Sequence, residues 1–430
     1  MDIFTSDFKE TPYWWDAAAP EPHAETVVPR HVDVAVIGSG YTGLHAAIQT
    51  ARAGKSTIII EAEVAGYGAS TRNGGQISNS IKDSYPQLAK KYGPALAAEI
   101  LGEGQTSLGF IKQFIADEKI DCDLQTVGRF HGAHTPGNYE KLSREIDINS
   151  EVYSDDAFLV TPSEQKLSIG TDVYHGGIVF PHHASLHPAK YHKGLLRIAR
   201  QAGVQIVTNC PVLDLKRETN GFCVVTPKGQ LIAKRIVLAT NGYTGSLSPW
   251  QQRRIIPIGS YMMATEELPE SVMARVMPTN RIISDSRKLV YYYRPSPDRK
   301  RILFGGRVSL RETDAKQTGP KLRSELIRLF PELAEVKISH SWSGFVGYTF
   351  DTLMHAGNDD GLFYAMGYCG SGVGMASYLG MRIGQQAADN PMGQTAFNKI
   401  PFPTRPFYSG NPWFLAPSIM AYRVRDRFGI

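Results

Sequence analysis

A glycine-rich turn between an apolar strand and a helix constrains the fold of this chain more than any other feature. The strand pattern Val34–Ile37 runs directly into the sequence GSGYTG at residues 38–43, and the helix pattern that follows stops at Gly54. The β-branched run from Thr57 to Glu61 is typical of a parallel strand buried on both faces. Strand, turn, helix and strand in this order predict a βαβ unit.

Three glycines and one acid in this unit have separate physical tasks. Gly38 permits the tight turn, Gly40 lets the backbone approach a pyrophosphate, and Gly43 lets the helix and strand pack closely. The free N–H groups of the helix N-terminus then point at the phosphates. Glu61, 18 residues beyond Gly43, is placed to accept hydrogen bonds from ribose hydroxyls. The unit predicts dinucleotide binding, although a glycine pattern alone also occurs in ordinary loops.

Composition argues against several other classes of protein. The 430 residues carry 46 Lys and Arg against 41 Asp and Glu without a dense basic run, so no nucleic-acid partner is expected. The four cysteines lie far apart, which argues against a redox disulfide or zinc knuckle and favours a reducing cytoplasm. No metal site is expected, because the histidines lack acidic or cysteine partners at ligand spacing. These histidines are His175, His182, His183, His187 and His192.

The two ends of the chain also bear on its location. Residues 1–20 lack the charged and apolar regions of a signal peptide, and no apolar run approaches the roughly 20 residues that span a bilayer. Residues 413–428 combine apolar side chains with arginines. They predict a terminal helix packed on the body, with peripheral membrane contact as the alternative.

The remaining pattern predicts an α/β fold, α+β overall. Helices are expected over 88–120 with a break near 102–109, and a hairpin around 220–229. The other predicted elements are helices at 188–202, 321–330 and 374–389 and strands at 204–207, 236–239, 255–264, 289–293, 302–304 and 362–366. A Rossmann-type domain would be assembled from residues 28–85, 185–250 and 345–400. An inserted sheet-rich substrate domain would comprise 86–184 and 251–344, followed by a tail at 401–430.

Several distant segments together resemble the FAD-dependent oxidoreductases of the D-amino-acid oxidase superfamily. They are Gly66–Gln76, Ser185–Pro188, Ile236–Gly242, Gly305–Arg307, Trp342–Gly344 and Gly367–Val373. The resemblance spans most of the chain and implies FAD, bound either non-covalently or covalently. The residues implied to bind FAD are Gly38, Ser39, Gly40, Tyr41, Thr42, Gly43, Glu61, Ala62, Ser70, Thr71, Arg72, Asn73, Gly74, Gly75, Gln76, Val212, Ala239, Thr240, Gly242, Gly367, Gly370, Ser371, Gly372 and Val373.

Physical reasoning on the last glycine cluster agrees with a flavin. Gly370, Gly372 and Gly374 precede a helix pattern, so backbone N–H groups and the positive helix end would face negative charge on a reduced flavin. The alternative interpretation is that these glycines only mark the start of a helix.

Within the superfamily the chain is similar to γ-glutamylputrescine oxidases. The similarity is carried by residues 68–76, 256–261 and 264–266 and by the tail near Tyr422. Two departures bear on the substrate rather than the cofactor. Residues 351–355 read DTLMH where relatives often carry a proline, and Ser371 stands where histidine is frequent.

Four residues are predicted to contact the substrate, namely Tyr291, Tyr293, Arg294 and Arg307. In an alternating strand Tyr291 and Tyr293 share one face and Tyr292 takes the other, so one face would line the substrate cavity, with core packing as the alternative. Arg72 is expected to contact flavin or substrate, or else to form a structural ion pair.

The resemblance also frames the choice of substrate. In the sarcosine-oxidase branch a lysine just after the C-terminal glycine loop holds the substrate carboxylate, whereas this chain has Gly374 near that position. Either the reacting end of the substrate carries no carboxylate, or Arg294, Arg307 or Arg72 replaces the lysine.

The resemblance implies oxidation of a primary or secondary amine by hydride transfer to flavin N5, with hydrolysis of the imine. Oxygen, giving hydrogen peroxide, or a quinone would be the electron acceptor, and no catalytic side chain is identified. Two alternatives stay open: oxidation of a cyclic or N-substituted amino acid such as pipecolate, proline or sarcosine, and a non-catalytic flavoprotein subunit.

Overall fold

The computed structural model describes residues 3–20, 27–79, 81–150, 156–309 and 312–428. The strands are β1 Phe4–Lys9, β2 His31–Ile37, β3 Thr57–Ile60, β4 Gln76–Ile77, β5 Arg129–Gly132, β6 Phe158–Val160, β7 Gly177–Phe180, β8 Ala184–Ser185, β9 Gln205–Val207, β10 Asp214–Glu218, β11 Gly221–Thr226, β12 Gly229–Leu238, β13 Ile256–Thr265, β14 Ile282–Asp285, β15 Tyr292–Pro295, β16 Ile302–Gly306, β17 Ile338–Tyr348, β18 His355–Asp359 and β19 Leu362–Met366. The helices are α1 Trp15–Ala18, α2 Tyr41–Arg52, α3 Tyr85–Tyr92, α4 Pro94–Asp117, α5 Pro136–Ser150, α6 Pro188–Gln201, α7 Pro249–Gln252, α8 Glu270–Val276, α9 Ala315–Leu329, α10 Gly372–Ala387 and α11 Leu415–Phe428.

The predicted βαβ unit is confirmed and lies at the centre of a sheet with a parallel core. Strands β19, β12, β2, β3 and β9 pair in parallel in that order, and β10, β11 and β18 pair antiparallel at the margins. Alternate residues of β2 enter two different apolar clusters: Val34 and Val36 pack with helices α2, α4, α6 and α10, whereas Ala35 and Ile37 pack on the opposite side. Strand β3 is likewise buried on both faces, with Ile59 in the first cluster and Ile58 and Ile60 in the second, as its β-branched sequence predicts.

A second sheet covers one side of this Rossmann-type unit. Among the described residues its strand order is β1, β17, β13, β16, β15, β14, β5, β7 and β6. One face, called here the core face, carries Phe130, Tyr261, Tyr293 and Phe304 and packs against α9. The other, called here the site face, carries Ser260, Met262, Tyr292, Gly344 and Tyr348, which the strand register places on one side. The predicted fold class is thus confirmed.

Three predicted elements differ from the structure. Helix α4 runs unbroken through residues 102–109, because Gly104 sits against the Asn79 carbonyl and the flanking apolar residues are buried. Helix α9 begins six residues earlier than predicted, since Asp314 caps it by accepting a hydrogen bond from Gln317 N at 2.7 Å. The strand predicted at 289–293 is β15, shifted to Tyr292–Pro295.

The C-terminal helix packs on the body of the protein. Asp426 accepts hydrogen bonds from the backbone N–H groups of Lys288 and Leu289 at 2.7 and 3.0 Å, and Arg423 donates to the Val308 carbonyl at 2.9 Å. No helix within the described ranges is long and apolar enough to cross a membrane. All four cysteines are buried free thiols.

Candidate functional site

The candidate site begins where the parallel strands end. The carboxyl ends of β3, β2, β12 and β19 lie at one edge of the sheet, so Glu61, Gly38, Ala239 and Gly367 start neighbouring loops there. Gly38 N donates to the Ile60 carbonyl and Ala239 N to the Ile37 carbonyl, both at 2.9 Å. This edge is where open α/β sheets bind their ligands.

The glycine turn lets α2 pack in direct backbone contact with the end of β2. A β-carbon built on Gly43 would lie 1.9 Å from the Gly38 carbonyl oxygen, whereas one on Gly40 would meet only the Ser70 hydroxyl at 3.0 Å. Gly40 has no side chain that could cap α2. The Tyr41 N–H instead donates a hydrogen bond to Ser70 Oγ at 3.0 Å. The turn therefore presents backbone at a helix N-terminus, as binding of a pyrophosphate requires.

Glu61 is oriented toward this turn. Its Oε2 accepts hydrogen bonds from Ser39 N at 2.8 Å and Ser39 Oγ at 2.7 Å, and its Oε1 accepts from Glu63 N at 3.1 Å. Ala62 is exposed beside it, and Val212 follows the segment in which Cys210 N donates to the Glu61 carbonyl. The carboxylate is partly accessible and fixed beside the glycine turn.

Replacing Glu61 with alanine should weaken FAD binding at least tenfold, because a hydrogen bond to a charged group contributes roughly 1.5 to 3 kcal/mol. Glu63→Ala is the matched control, since the neighbouring Glu63 side chain is exposed and should not alter FAD affinity. Quenching of FAD fluorescence on titration with apoprotein measures both dissociation constants. Equal affinities of the two variants would contradict the assigned role of Glu61.

Three tryptophans hold loop 66–76, which resembles the flavin-contacting motif. The indole N–H groups of Trp14, Trp15 and Trp342 donate respectively to the Asn73 carbonyl at 2.8 Å, Thr71 Oγ1 at 3.0 Å and the Arg72 carbonyl at 2.7 Å. Sequence reasoning did not find these supports, because they are distant in the chain and form no motif. They fix the loop from outside and leave Ser70, Arg72 and Asn73 partly accessible.

The second half of the loop packs between the two sheets. Asn73 Oδ1 accepts a hydrogen bond from Gly75 N at 2.8 Å, and Gln76 Nε2 donates to the Tyr293 carbonyl at 3.2 Å. Gly75 has φ +65°, and a β-carbon there would lie 2.2 Å from the Leu186 carbonyl oxygen. Gly74 lies under the Tyr292 ring, so the loop borders the site face.

Arg72 is held by backbone carbonyls and aromatic rings. Its Nε donates to the Tyr67 carbonyl at 2.6 Å and its Nη1 to the Ser343 carbonyl at 3.2 Å. The guanidinium carbon lies 4.8 Å from the Trp15 ring centroid and 4.7 Å from that of Tyr67. Burial lowers the pKa of this guanidinium. Arg72 therefore stands beside the site with most of its bonding directions already used.

Two further turns complete the edge. Asn241 Oδ1 accepts a hydrogen bond from Gly367 N at 2.9 Å, and Cys369 N donates to the Gly347 carbonyl at 3.0 Å. Gly242 packs directly on the backbone of Gly347. These contacts tie the turn at 239–242, which includes Thr240, and the loop at 367–373 to strand β17.

Helices α2 and α10 lie parallel with a stagger. Gly380 packs on Thr42 and Gly384 on Ala46, so α10 extends roughly 10 Å beyond the start of α2 at 1.5 Å per residue. Gly370 is exposed, Ser371 and Gly372 are partly accessible, and Val373 is buried beneath them. Two helix N-termini therefore open onto the same edge, one suited to a pyrophosphate and the other to a flavin ring. This spacing and the Glu61 carboxylate fit FAD.

The tyrosine that meets these loops from the second sheet is Tyr292. Its hydroxyl hydrogen-bonds Ser260 Oγ at 2.9 Å, and its ring packs on Gly74 and Gly305. Burial raises the pKa of Tyr292 to about 12, and the neighbouring Tyr348 phenol adds to the rise. Tyr292 is therefore a neutral hydroxyl on the site face at physiological pH.

The four predicted substrate residues are engaged in other contacts. Tyr293 is fully buried on the core face, where its hydroxyl meets that of Tyr174 at 3.1 Å, and Tyr291 packs on Phe304. Arg294 is 2% exposed and bonds backbone carbonyls, including Leu186 O at 2.9 Å. Arg307 bonds the Gly259 carbonyl and Glu312 near the core-face residue Tyr261. Tyr291 and Tyr293 lie on the face of β15 opposite Tyr292. Arg294 shares the face of Tyr292 by alternation, but its guanidinium is buried and bonded to backbone carbonyls.

The histidines have structural contacts. His187 caps α6 by accepting a hydrogen bond from Lys190 N at 3.2 Å, and His192 Nε2 lies 2.8 Å from the Ser39 carbonyl, beside the glycine turn. Within the part of the chain that the structure describes, no group of three or more His, Cys, Asp or Glu residues could hold a metal ion.

The amino-acid sequence is similar to those of known oxidoreductases. The chain is 30% identical over 407 residues to gamma-glutamylputrescine oxidoreductase of Escherichia coli strain K12, covering 93% of each chain. It is 30% identical over 427 residues to the probable oxidoreductase OrdL of Rhizobium meliloti, covering 96% of this chain and 97% of that one.

Solved structures share the fold. Glycine oxidase from Geobacillus kaustophilus superimposes with a TM-score of 0.73 at 18% identity, over 88% of this chain and 99% of its own. L-proline dehydrogenase from P. horikoshii superimposes with a TM-score of 0.70 at 17% identity, over 91% and 99% of the two chains. Residues 33–386 match the DAO family, described as FAD dependent oxidoreductase. The chain therefore belongs to the DAO family of FAD-dependent oxidoreductases.

Proposed function

We propose that this FAD-dependent oxidoreductase oxidises an amine whose reacting carbon carries no carboxylate, as in γ-glutamylputrescine. The observation that carries the proposal is the site face itself, where Tyr292 and Met262 pack over Gly74. The Arg72 side chain packs on Gly344 of this face, but its guanidinium already donates to the Tyr67 and Ser343 carbonyls. Binding of a small α-amino acid would need a positive group beside the reacting carbon. The guanidinium groups of Arg294 and Arg307 are turned to carbonyls and to Glu312 instead.

The overall chemistry requires few ionisable side chains. An amine, oxygen and water would give an aldehyde, ammonia and hydrogen peroxide, through a substrate imine that water hydrolyses. FAD, when bound, supplies the two-electron acceptor for this reaction. The chain supplies orientation: the neutral Tyr292 hydroxyl can donate one hydrogen bond and accept another, and the Ser260 contact fixes its direction.

The Met262 side chain supports this orientation by excluding water. It is 2% exposed and packs with Trp342 and Leu303 beside Tyr292. An amine placed between this apolar surface and the loop at Gly74 would be desolvated, which favours the unprotonated amine that must lose a hydride.

Anaerobic mixing of the yellow holoprotein with a panel of amines tests the proposal. γ-Glutamylputrescine should bleach the flavin faster than sarcosine, proline or pipecolate, and in air the same substrate should release hydrogen peroxide. A preference for the α-amino acids that is lost in Arg72→Ala, Arg294→Ala or Arg307→Ala would establish the second candidate function, oxidation of a cyclic or N-substituted amino acid. A yellow protein that no amine reduces would support a non-catalytic flavoprotein.

A further inference from the structure

A lysine outside every sequence motif stands at the edge of the site. Lys82 lies between loop 66–76 and helix α3, and its side chain is exposed. Its Nζ donates a hydrogen bond to the Tyr348 hydroxyl at 3.0 Å and lies 4.2 Å from the centroid of that ring. Tyr348 therefore holds the ammonium group in place.

Tyr348 connects this lysine to the site face. It is the last residue of β17, in register with Gly344 and Val346, and its hydroxyl lies 3.9 Å from the position of a β-carbon built on Gly370. Gly370 lies two residues before α10, in the loop that resembles a flavin-contacting segment. The Lys82 ammonium therefore lies at the border between the site face and this loop.

The charge of Lys82 is not neutralised by an ion pair. Within the described ranges no carboxylate oxygen lies within 4.0 Å of its Nζ. Asp351 is engaged by His355 at 3.0 Å and by Lys91 at 3.7 Å, and Asp83 accepts a hydrogen bond from Thr352 at 3.4 Å. The contrast with Lys91 is informative, because Lys91 also lies over a tyrosine, Tyr92, but pairs with a buried carboxylate.

The groups around Lys82 keep it charged at neutral pH. Desolvation by the surrounding protein works against the charge, but the Tyr348 phenol and the Cys369 thiol outweigh it and raise the pKa of Lys82, with Asp83 contributing in the same direction. The site thus offers a permanent cation and a phenol hydroxyl side by side. This pair matches a carboxylate, which accepts hydrogen bonds from both.

We propose that Lys82, positioned by Tyr348, binds a carboxylate at the non-reacting end of the substrate. The proposal rests on the amine oxidation argued above. The reacting amine would lie at Tyr292 and Gly74, whereas Lys82 and Tyr348 stand beside Gly370 on another loop. The substrate class is therefore an amine with a carboxylate separated from the oxidised carbon by several bonds. Along β13, Ser260, which bonds Tyr292, and Ile256, the partner of Tyr348, are four residues or about 13 Å apart, which exceeds the span of an α-amino acid with both groups on one carbon.

Binding of glutarate to the full-length holoenzyme, measured by isothermal titration calorimetry, tests this assignment without turnover. Lys82→Met should weaken glutarate binding roughly 10- to 100-fold, the range expected for loss of one hydrogen bond between charged groups. Lys82→Arg should retain most of the affinity. Lys91→Met is the matched control and should bind glutarate as the wild type does. In turnover, Lys82→Met should raise KM for γ-glutamylputrescine with little change in kcat, and leave KM for putrescine unchanged.

Three results would overturn the assignment. They are no saturable glutarate binding by the wild type, equal losses in Lys82→Met and Lys91→Met, and a shift in flavin midpoint potential in Lys82→Met with unchanged glutarate affinity. The last result would place Lys82 against the cofactor rather than the substrate. Failure of the proposed function is distinguishable, because it would appear as a wild-type holoprotein that no amine reduces while glutarate affinity still depends on Lys82.

Discussion

Replacement of Gly43 by alanine should leave the purified protein without FAD. A β-carbon at this position would lie 1.9 Å from the Gly38 carbonyl oxygen and 3.2 Å from Val36 Cγ1. The Gly38 backbone cannot move aside cheaply, because its N–H is bonded to the Ile60 carbonyl at 2.9 Å in the loop that ends β2. Helix α2 must then shift away from the strand, and its N-terminus leaves the pyrophosphate position.

The ratio of flavin to protein absorbance after purification, and after incubation with excess FAD, measures this effect. Gly102→Ala is the matched control, since nothing lies within 4 Å of a β-carbon at that helical position. That variant should keep full FAD and gain about 0.5 to 1 kcal/mol of stability from the better helix former. Far-ultraviolet circular dichroism shows whether Gly43→Ala remains folded. Stoichiometric FAD in a folded Gly43→Ala protein would refute the assignment of this turn.

The parts of the fold that sequence predicted well are those fixed by local pattern. The turn at 38–43 and the strand at 57–60 are specified by residues close in the chain, and parallel pairing then brings the ends of β3, β2, β12 and β19 together. The helix break predicted at 102–109 was wrong because the low helix propensity of the glycines costs little free energy. Burial of Leu101, Leu108 and Ile111 on the same helix contributes more.

The substrate side could not be predicted in the same way. Alternation alone separates Tyr292 from Tyr291 and Tyr293, but only the pairing of Tyr292 with Gly305 and its contact with Gly74 show which face meets the site. Lys82 carries no sequence signal, since its partner Tyr348 is 266 residues away. A single sequence does not encode such contacts in a local pattern.

Arg294 differs from Lys82 in burial and partners, and this difference leads to the second large effect. Its Nη1 donates to the Leu186 carbonyl at 2.9 Å and to the Gly75 carbonyl at 3.2 Å, and its Nε donates to the Pro295 carbonyl at 3.0 Å. Burial lowers the pKa of Arg294 to about 10, so it remains charged at neutral pH. The side chain thus ties loop 66–76 to the start of α6.

Arg294→Met should lower the free energy of unfolding by about 3 kcal/mol, because it removes a charged donor that bonds three carbonyls and takes away the side-chain donor of the buried Leu186 carbonyl. Urea unfolding measures the change, and FAD should be released at a lower urea concentration than in the wild type. Arg328→Met is the control, since the Arg328 side chain is 77% exposed and its replacement should change the free energy of unfolding by less than about 0.5 kcal/mol.

The decisive comparison is between the stability and the substrate specificity of Arg294→Met. If Arg294 has a structural role, Arg294→Met lowers the free energy of unfolding, and the ratio of kcat/KM for γ-glutamylputrescine to that for proline stays constant. Wild-type stability with a selective loss of proline turnover would instead make Arg294 a substrate contact.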